Sequence, residues 1–175
     1  KSQILNLKPD IIIVIAYAQI IPESILDLPK FGCVNVHGSL LPKYRGASPI
    51  QAAILGGDKE TGITIMKMAK GLDSGPILAK KELNIAPSDT AASLYEKLSL
   101  VSAGALPEAL KKYIEGKIKP VEQDGAKANY VGLIKKEDGR INWDKSAEEI
   151  ERLIRAMNIW PGAYSKLQIT NYKLQ

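Results

Sequence analysis

The chain has 175 residues, a net charge of +5, one histidine and one cysteine. Its 45% hydrophobic and 25% charged content excludes a disordered or fibrous chain. No apolar run reaches the roughly 18 residues of a membrane span, and a single cysteine excludes an internal disulfide framework. The length accommodates one domain and part of a second. Basic residues are spread evenly, 11 against 9 acidic ones over 1–100 and 13 against 10 over 101–175, so an RNA partner is permitted but no basic tail demands one. The lone Cys33 fits a reducing compartment, and a cytoplasmic protein is expected.

Residues 1–7 read as the end of a helix. The run of β-branched residues at 10–16 follows a proline and predicts a strand buried on both faces, as in a parallel sheet. Residues 17–21 form a loop, and Pro22 opens a short helix. Residues 32–37 alternate apolar with polar and predict a second strand, in which Cys33 is buried and inert. A loop runs to Gly46, and Ser48-Pro49 opens a helix that stops at Gly56-Gly57. Strands follow at 61–68 and 77–85, with a glycine-flanked loop carrying Asp73 between them. Ser88-Asp89-Thr90 caps a long helix over 91–115, with a break expected at Gly104 and Pro107. Residues 120–128 read as a polar connector and 130–142 as irregular. Ser146 and Glu149 form a capping box for a helix to 157, and Trp160-Pro161-Gly162 turns into strand-like residues. Pairs such as Lys80-Lys81 read as solvated faces.

Asn35 and His37 stand two apart at the end of a strand, so both point to one face, where open α/β sheets place ligands. An amide donor and an imidazole there could stabilise an oxyanion as a carbonyl is attacked. From residue types alone the more ordinary reading is a hydrogen-bonded pair at a strand end. Asp73, between glycines, reads as a turn residue; brought beside His37 it would instead orient the ring and fix its tautomer. Spacing does not decide between these. One histidine and one cysteine cannot build a structural zinc site.

The series Asn35-x-His37, then Ser39-Leu40-Leu41-Pro42, with Asp73 well downstream, resembles the formyltransferases that use 10-formyltetrahydrofolate. The likeness extends upstream through Ala16–Pro22 and downstream through Arg155–Tyr164, nearly the whole chain. It implies an α/β fold in which this chain is the second half of a Rossmann-like mixed-sheet formyltransferase domain, followed by a linker and the start of a small β-barrel. The implied divisions are 1–128, 129–158 and 159–175. It implies Asn35, His37 and Asp73 as catalytic residues, and Gln19, Ile20, Ile21, Ser39, Leu40, Leu41 and Pro42 around the folate. The co-substrate is then 10-formyltetrahydrofolate, without a metal. NVHGSLLPKYRGASPIQAAILGGDKETGITIMKM follows the branch whose acceptor is methionyl initiator tRNA, with Arg45 a candidate for RNA phosphate or a surface salt bridge. The full-length protein is expected to be monomeric. Alternatives within the family are an amino sugar nucleotide acceptor, glycinamide ribonucleotide or water, and outside it a non-catalytic folate or RNA binding module.

The sharp turn after His37 predicts a cis Leu41–Pro42 bond. The resemblance also implies a missing neighbour for the strand at 10–16, so an open or chain-paired sheet edge is expected there, together with inactivity of the 175 residues alone.

Overall fold

The computed structural model describes residues 2–167. A short helix α1 (Ser2–Leu7) precedes strand β1 (Ile12–Val14) and helix α2 (Glu23–Leu26). Then come β2 (Cys33–His37), β3 (Arg45–Gly46), α3 (Pro49–Leu55), β4 (Glu60–Lys67) and β5 (Ile77–Asn84). The long helix α4 (Ala91–Ile114), the short strand β6 (Tyr130–Val131) and α5 (Ala147–Ala156) follow. One mixed sheet runs in the order β1-β2-β4-β5, with β1 parallel to β2 and the other neighbours antiparallel.

The strand period sorts this sheet into two faces. Val34, Ile63 and Ile65 turn to one side and pack with Ile50 and Ile54 of α3 and with Leu94 and Leu98 of α4. Each such apolar side chain, fully buried, contributes about 1.5–3 kcal/mol. The register pairs Asn35 with Met66 and His37 with Thr64, which places these four side chains on the opposite face. One face is therefore packed against α3 and α4, and the other carries Asn35 and His37. Because β1 and β2 are parallel, their C-terminal ends lie side by side, and the loops at 15–22 and 38–44 leave the sheet together.

The structure changes several expectations. The strand at 10–16 shrinks to three residues, with Ile13 43% and Ile15 56% exposed. It is the edge of the sheet and has β2 as its sole neighbour among the described residues, so a strand patterned for cover on both faces is left partly bare. The expected break in the long helix is absent, and α4 runs unbroken through Gly104 and Pro107. Pro107 leaves the Ala103 carbonyl without its helical donor, but Ala103, Gly104 and Pro107 all face solvent, where water can satisfy it. The buried stripe Leu94, Leu98, Ala105 and Ala109 holds the helix on the sheet. After the connector, β6 pairs in parallel with β3. Tyr164 bridges to Arg140, and the rest of the anticipated barrel opening, at 168–175, lies outside the described residues.

Candidate active site

The Asn35-x-His37 strand end is where the loops converge. His37 Nε2 lies 2.8 Å from the Tyr44 carbonyl. A carbonyl only accepts, so Nε2 carries a hydrogen and donates it. Nδ1 faces Asp73 Oδ2 at 3.6 Å, a distance at which a protonated ring pairs with the carboxylate but too long for a hydrogen bond. The Nδ1 edge is thus the part of the ring left for another group. Asp73 Oδ2 accepts from the Gly46 amide at 2.8 Å, while Oδ1 has no hydrogen-bond partner among the described residues. Asn35 is half-buried, and its amide likewise has no partner among the described residues. Two residues along the strand separate it from His37 by about 7 Å. The juxtaposition of His37 and Asp73 that the motif order implied is present.

Asp73 does not reach His37 by strand geometry. β4 ends with Lys67 opposite Val34, three residues back along β2 from His37. The loop between β4 and β5 must recover about 10 Å along the chemical face. It does so with Asp73 at φ 45°, a left-handed conformation. Gly75 permits the sharp return, since a Cβ there would stand 1.9 Å from the Lys67 carbonyl oxygen. Gly46 is equally constrained: its φ is 110°, and a Cβ would meet the Val131 carbonyl oxygen at 2.2 Å.

The Ser39–Pro42 loop is held from within. The Leu41–Pro42 bond is cis, as expected. Thr64, fully buried, accepts from Leu41 N at 3.0 Å and donates to Ser39 O at 2.7 Å. Ser39 Oγ donates to Lys43 O at 2.6 Å, and Lys80 Nζ donates to the Leu41 carbonyl. Lys80 is therefore not a merely solvated lysine. Ser39 and Leu41 turn inward and are buried, so their side chains shape the loop, whereas Leu40 and Pro42 remain half-exposed. Across the neighbouring loop Gln19 is exposed, Ile21 is half-buried and Ile20 is 91% exposed. Ile20 is thus a bare isoleucine beside the ends of two parallel strands.

Arg45 is placed differently from either sequence reading. It is 6% exposed, and no carboxylate lies within ion-pair distance of it among the described residues. Its Nε and Nη2 donate to Gln123 Oε1 at 3.1 and 2.8 Å, and Nη1 donates to the Tyr130 hydroxyl at 3.1 Å. It braces the site from behind. The residues missed by sequence reasoning are Gln123, Thr64, Lys80, the Tyr44 carbonyl and the Gly46 amide. None had a local signal beyond Gly46 itself, which marks a turn. Cys33 is fully buried, and burial, reinforced by Asp27, pushes its thiol up, in keeping with an inert role. Among the described residues no cluster of His, Cys, Asp or Glu could hold a metal ion, and no helix is long and apolar enough to cross a membrane.

Comparison with known proteins gives the same picture. A family model described as formyl transferase matches residues 1–110, and one described as formyl transferase, C-terminal domain, matches 133–175. Methionyl-tRNA formyltransferase of Marinobacter nauticus is 46% identical over 167 residues, covering 95% of this chain and 54% of that protein. The chain spans about half the length of the curated relatives it matches. The solved structure of methionyl-tRNA formyltransferase from Clostridium thermocellum superposes with a TM-score of 0.79 at 27% identity, over 95% of this chain and 70% of that one. WlaRD, a sugar 3N-formyl transferase whose structure was determined with dTDP and 5-N-formyl-THF, gives a TM-score of 0.75 at 26% identity, over 87% and 56%. Fold, motif and sequence likeness agree, and the chain belongs to the formyl transferase family.

Proposed function

We propose that the full-length protein transfers the formyl group of 10-formyltetrahydrofolate to the α-amine of methionine on initiator tRNA. The observation that carries this reading is the convergence of Asn35, His37 and Asp73 in a chain whose curated relatives of 44–50% identity are methionyl-tRNA formyltransferases. The neutral amine attacks the formyl carbon, forming the new N–C bond and a tetrahedral oxyanion. Asn35, with its amide uncommitted, donates to the formyl oxygen as charge develops, and His37 adds stabilisation when Nδ1 as well as Nε2 carries a hydrogen to donate. Asp73 holds one oxygen on Gly46 and keeps Oδ1 to take the amine proton, directly or through water. Collapse breaks the bond to N10 of the folate, and the proton passes to that nitrogen. The pterin lies against Gln19, Ile20 and Ile21 and the outer side of the Ser39–Pro42 loop, through Leu40, Pro42 and the loop backbone, with Ser39 and Leu41 supporting from inside.

The curated relatives of 44–50% identity, which are methionyl-tRNA formyltransferases, favour the tRNA acceptor, whereas the solved tRNA and sugar enzymes stand level at 27% and 26% identity. The discriminating experiment presents full-length protein with labelled 10-formyltetrahydrofolate and either initiator methionyl-tRNA or a dTDP-amino sugar. Label on the tRNA is expected. Label on the sugar alone replaces this acceptor, and label on neither returns the site to folate or RNA binding.

A further inference from the structure

We infer that Gln123 is a positioning residue for the transfer reaction, holding Asp73 in register with His37; this rests on the reading of the site given above. Gln123 comes from the connector after α4, and its side-chain amide sits between the two backbones that carry the His37–Asp73 pair. On one side Oε1 accepts from Arg45 Nε and Nη2, at 3.1 and 2.8 Å. Arg45 lies between Tyr44, whose carbonyl takes the His37 Nε2 hydrogen, and Gly46, whose amide binds the Asp73 carboxylate. On the other side Nε2 donates to Asp73 O at 2.8 Å and Gly75 O at 2.7 Å. Both donors and both acceptor sites of the amide are used. The orientation follows from the partners, since the reverse would set NH₂ against guanidinium and oxygen against two carbonyls. The same connector grips the Tyr44–Ala47 segment again: Asn129 Oδ1 accepts from Tyr44 N, Arg45 N donates to Asn129 O at 3.0 Å, and Ala47 N to Val131 O at 3.0 Å.

Asp73 needs this support. Its loop climbs back along the sheet with Asp73 at positive φ, and within that loop only Ser74 N to Gly71 O, at 3.4 Å, ties backbone to backbone. A shift of an ångström there would separate the carboxylate from both Gly46 and His37, and misplacement on that scale costs turnover rather than substrate binding.

The test uses full-length protein carrying Gln123→Glu, which keeps shape and a bond to Arg45 but sets an acceptor against the two carbonyls, and Gln123→Asn, which falls short of them without adding charge. With 10-formyltetrahydrofolate and initiator methionyl-tRNA, kcat is expected to fall about thirtyfold, with both KM values within about twofold of wild type. On an Asp73→Asn background the same changes should cost nothing further, because Gln123 acts through Asp73. A kcat near wild type, or full additivity with Asp73→Asn, overturns the inference. Should wild-type protein fail to formylate the tRNA, the functional reading fails, and amide exchange then decides the positioning on its own. Protection of the Gly46 amide is expected to drop about tenfold in both variants while β4 amides stay unchanged, and unchanged Gly46 protection refutes it.

Discussion

In the proposed mechanism Asp73 divides its carboxylate between two tasks, one oxygen anchored on Gly46 and facing His37, the other taking the amine proton. Asp73→Asn should therefore lower kcat about 10²–10⁴-fold, while the folate dissociation constant changes little because Ile20, Leu40 and Pro42 are untouched. Rapid-quench turnover beside equilibrium folate titration checks both halves, and near-normal turnover removes Asp73 from the chemistry. Thr64 makes the parallel case for shape. Its hydroxyl serves a buried donor and a buried acceptor of the Ser39–Pro42 loop, so Thr64→Val leaves both unmet. About 2 kcal/mol or more of stability should be lost, and a denaturant midpoint unchanged from wild type would contradict it. The catalytic candidates were legible through the motif order that carries the family resemblance, since strand period and a glycine-flanked loop by themselves left their roles open. Gln123, Thr64 and Lys80 were not, because they act by contacts across 50, 25 and 39 residues of chain that leave no local pattern.

The elements were mostly visible in the sequence, and α4 shows both why and where that stops. Thr90 accepts from Ser93 N and Ser93 Oγ accepts from Thr90 N, so the helix starts where its capping residues place it. Beneath the cap Asp89 is buried and receives Lys97 Nζ at 2.7 Å, Ser93 Oγ at 2.7 Å and Ala86 N at 2.8 Å. Burial alone would raise this carboxyl, but the bonds from Lys97, Ser93 and Ala86 outweigh it and hold it below the ordinary carboxylate range. A depressed carboxyl contributes stability that is complete above its unfolded value, about 3.9, and that is lost as pH falls through the folded one. Acid denaturation should accordingly be shallower in Asp89→Asn than in wild type below about pH 4, as followed by circular dichroism; parallel curves would exclude Asp89 as a contributor. Helix α4 also passes through Pro107 where propensity predicted a break, because the displaced carbonyl faces water and a buried stripe on the other side fixes the axis.

At the scale of the molecule the two edges of the sheet differ. β5 exposes Lys80, Lys81 and Glu82, charges that discourage pairing, whereas β1 offers Ile13, followed by Ile15 just past its end, on a strand without a second neighbour among the described residues. The 175-residue chain is expected to associate with rising concentration, and Ile13→Lys to suppress this in sedimentation velocity; equal association in the variant would place the contact elsewhere. Sequence alone determined the alternation that puts Asn35 and His37 on one face, the start of each longer helix and the family resemblance, because periodicity, capping and motif order are properties of neighbouring residues. Only the tertiary structure decided that Asp73 climbs back to His37, that Arg45 turns inward, and that a stretch resembling a polar connector braces the site through Gln123. Those outcomes depend on which backbone groups meet after the sheet has closed on itself, and a carbonyl or amide looks the same at every position until something is packed against it.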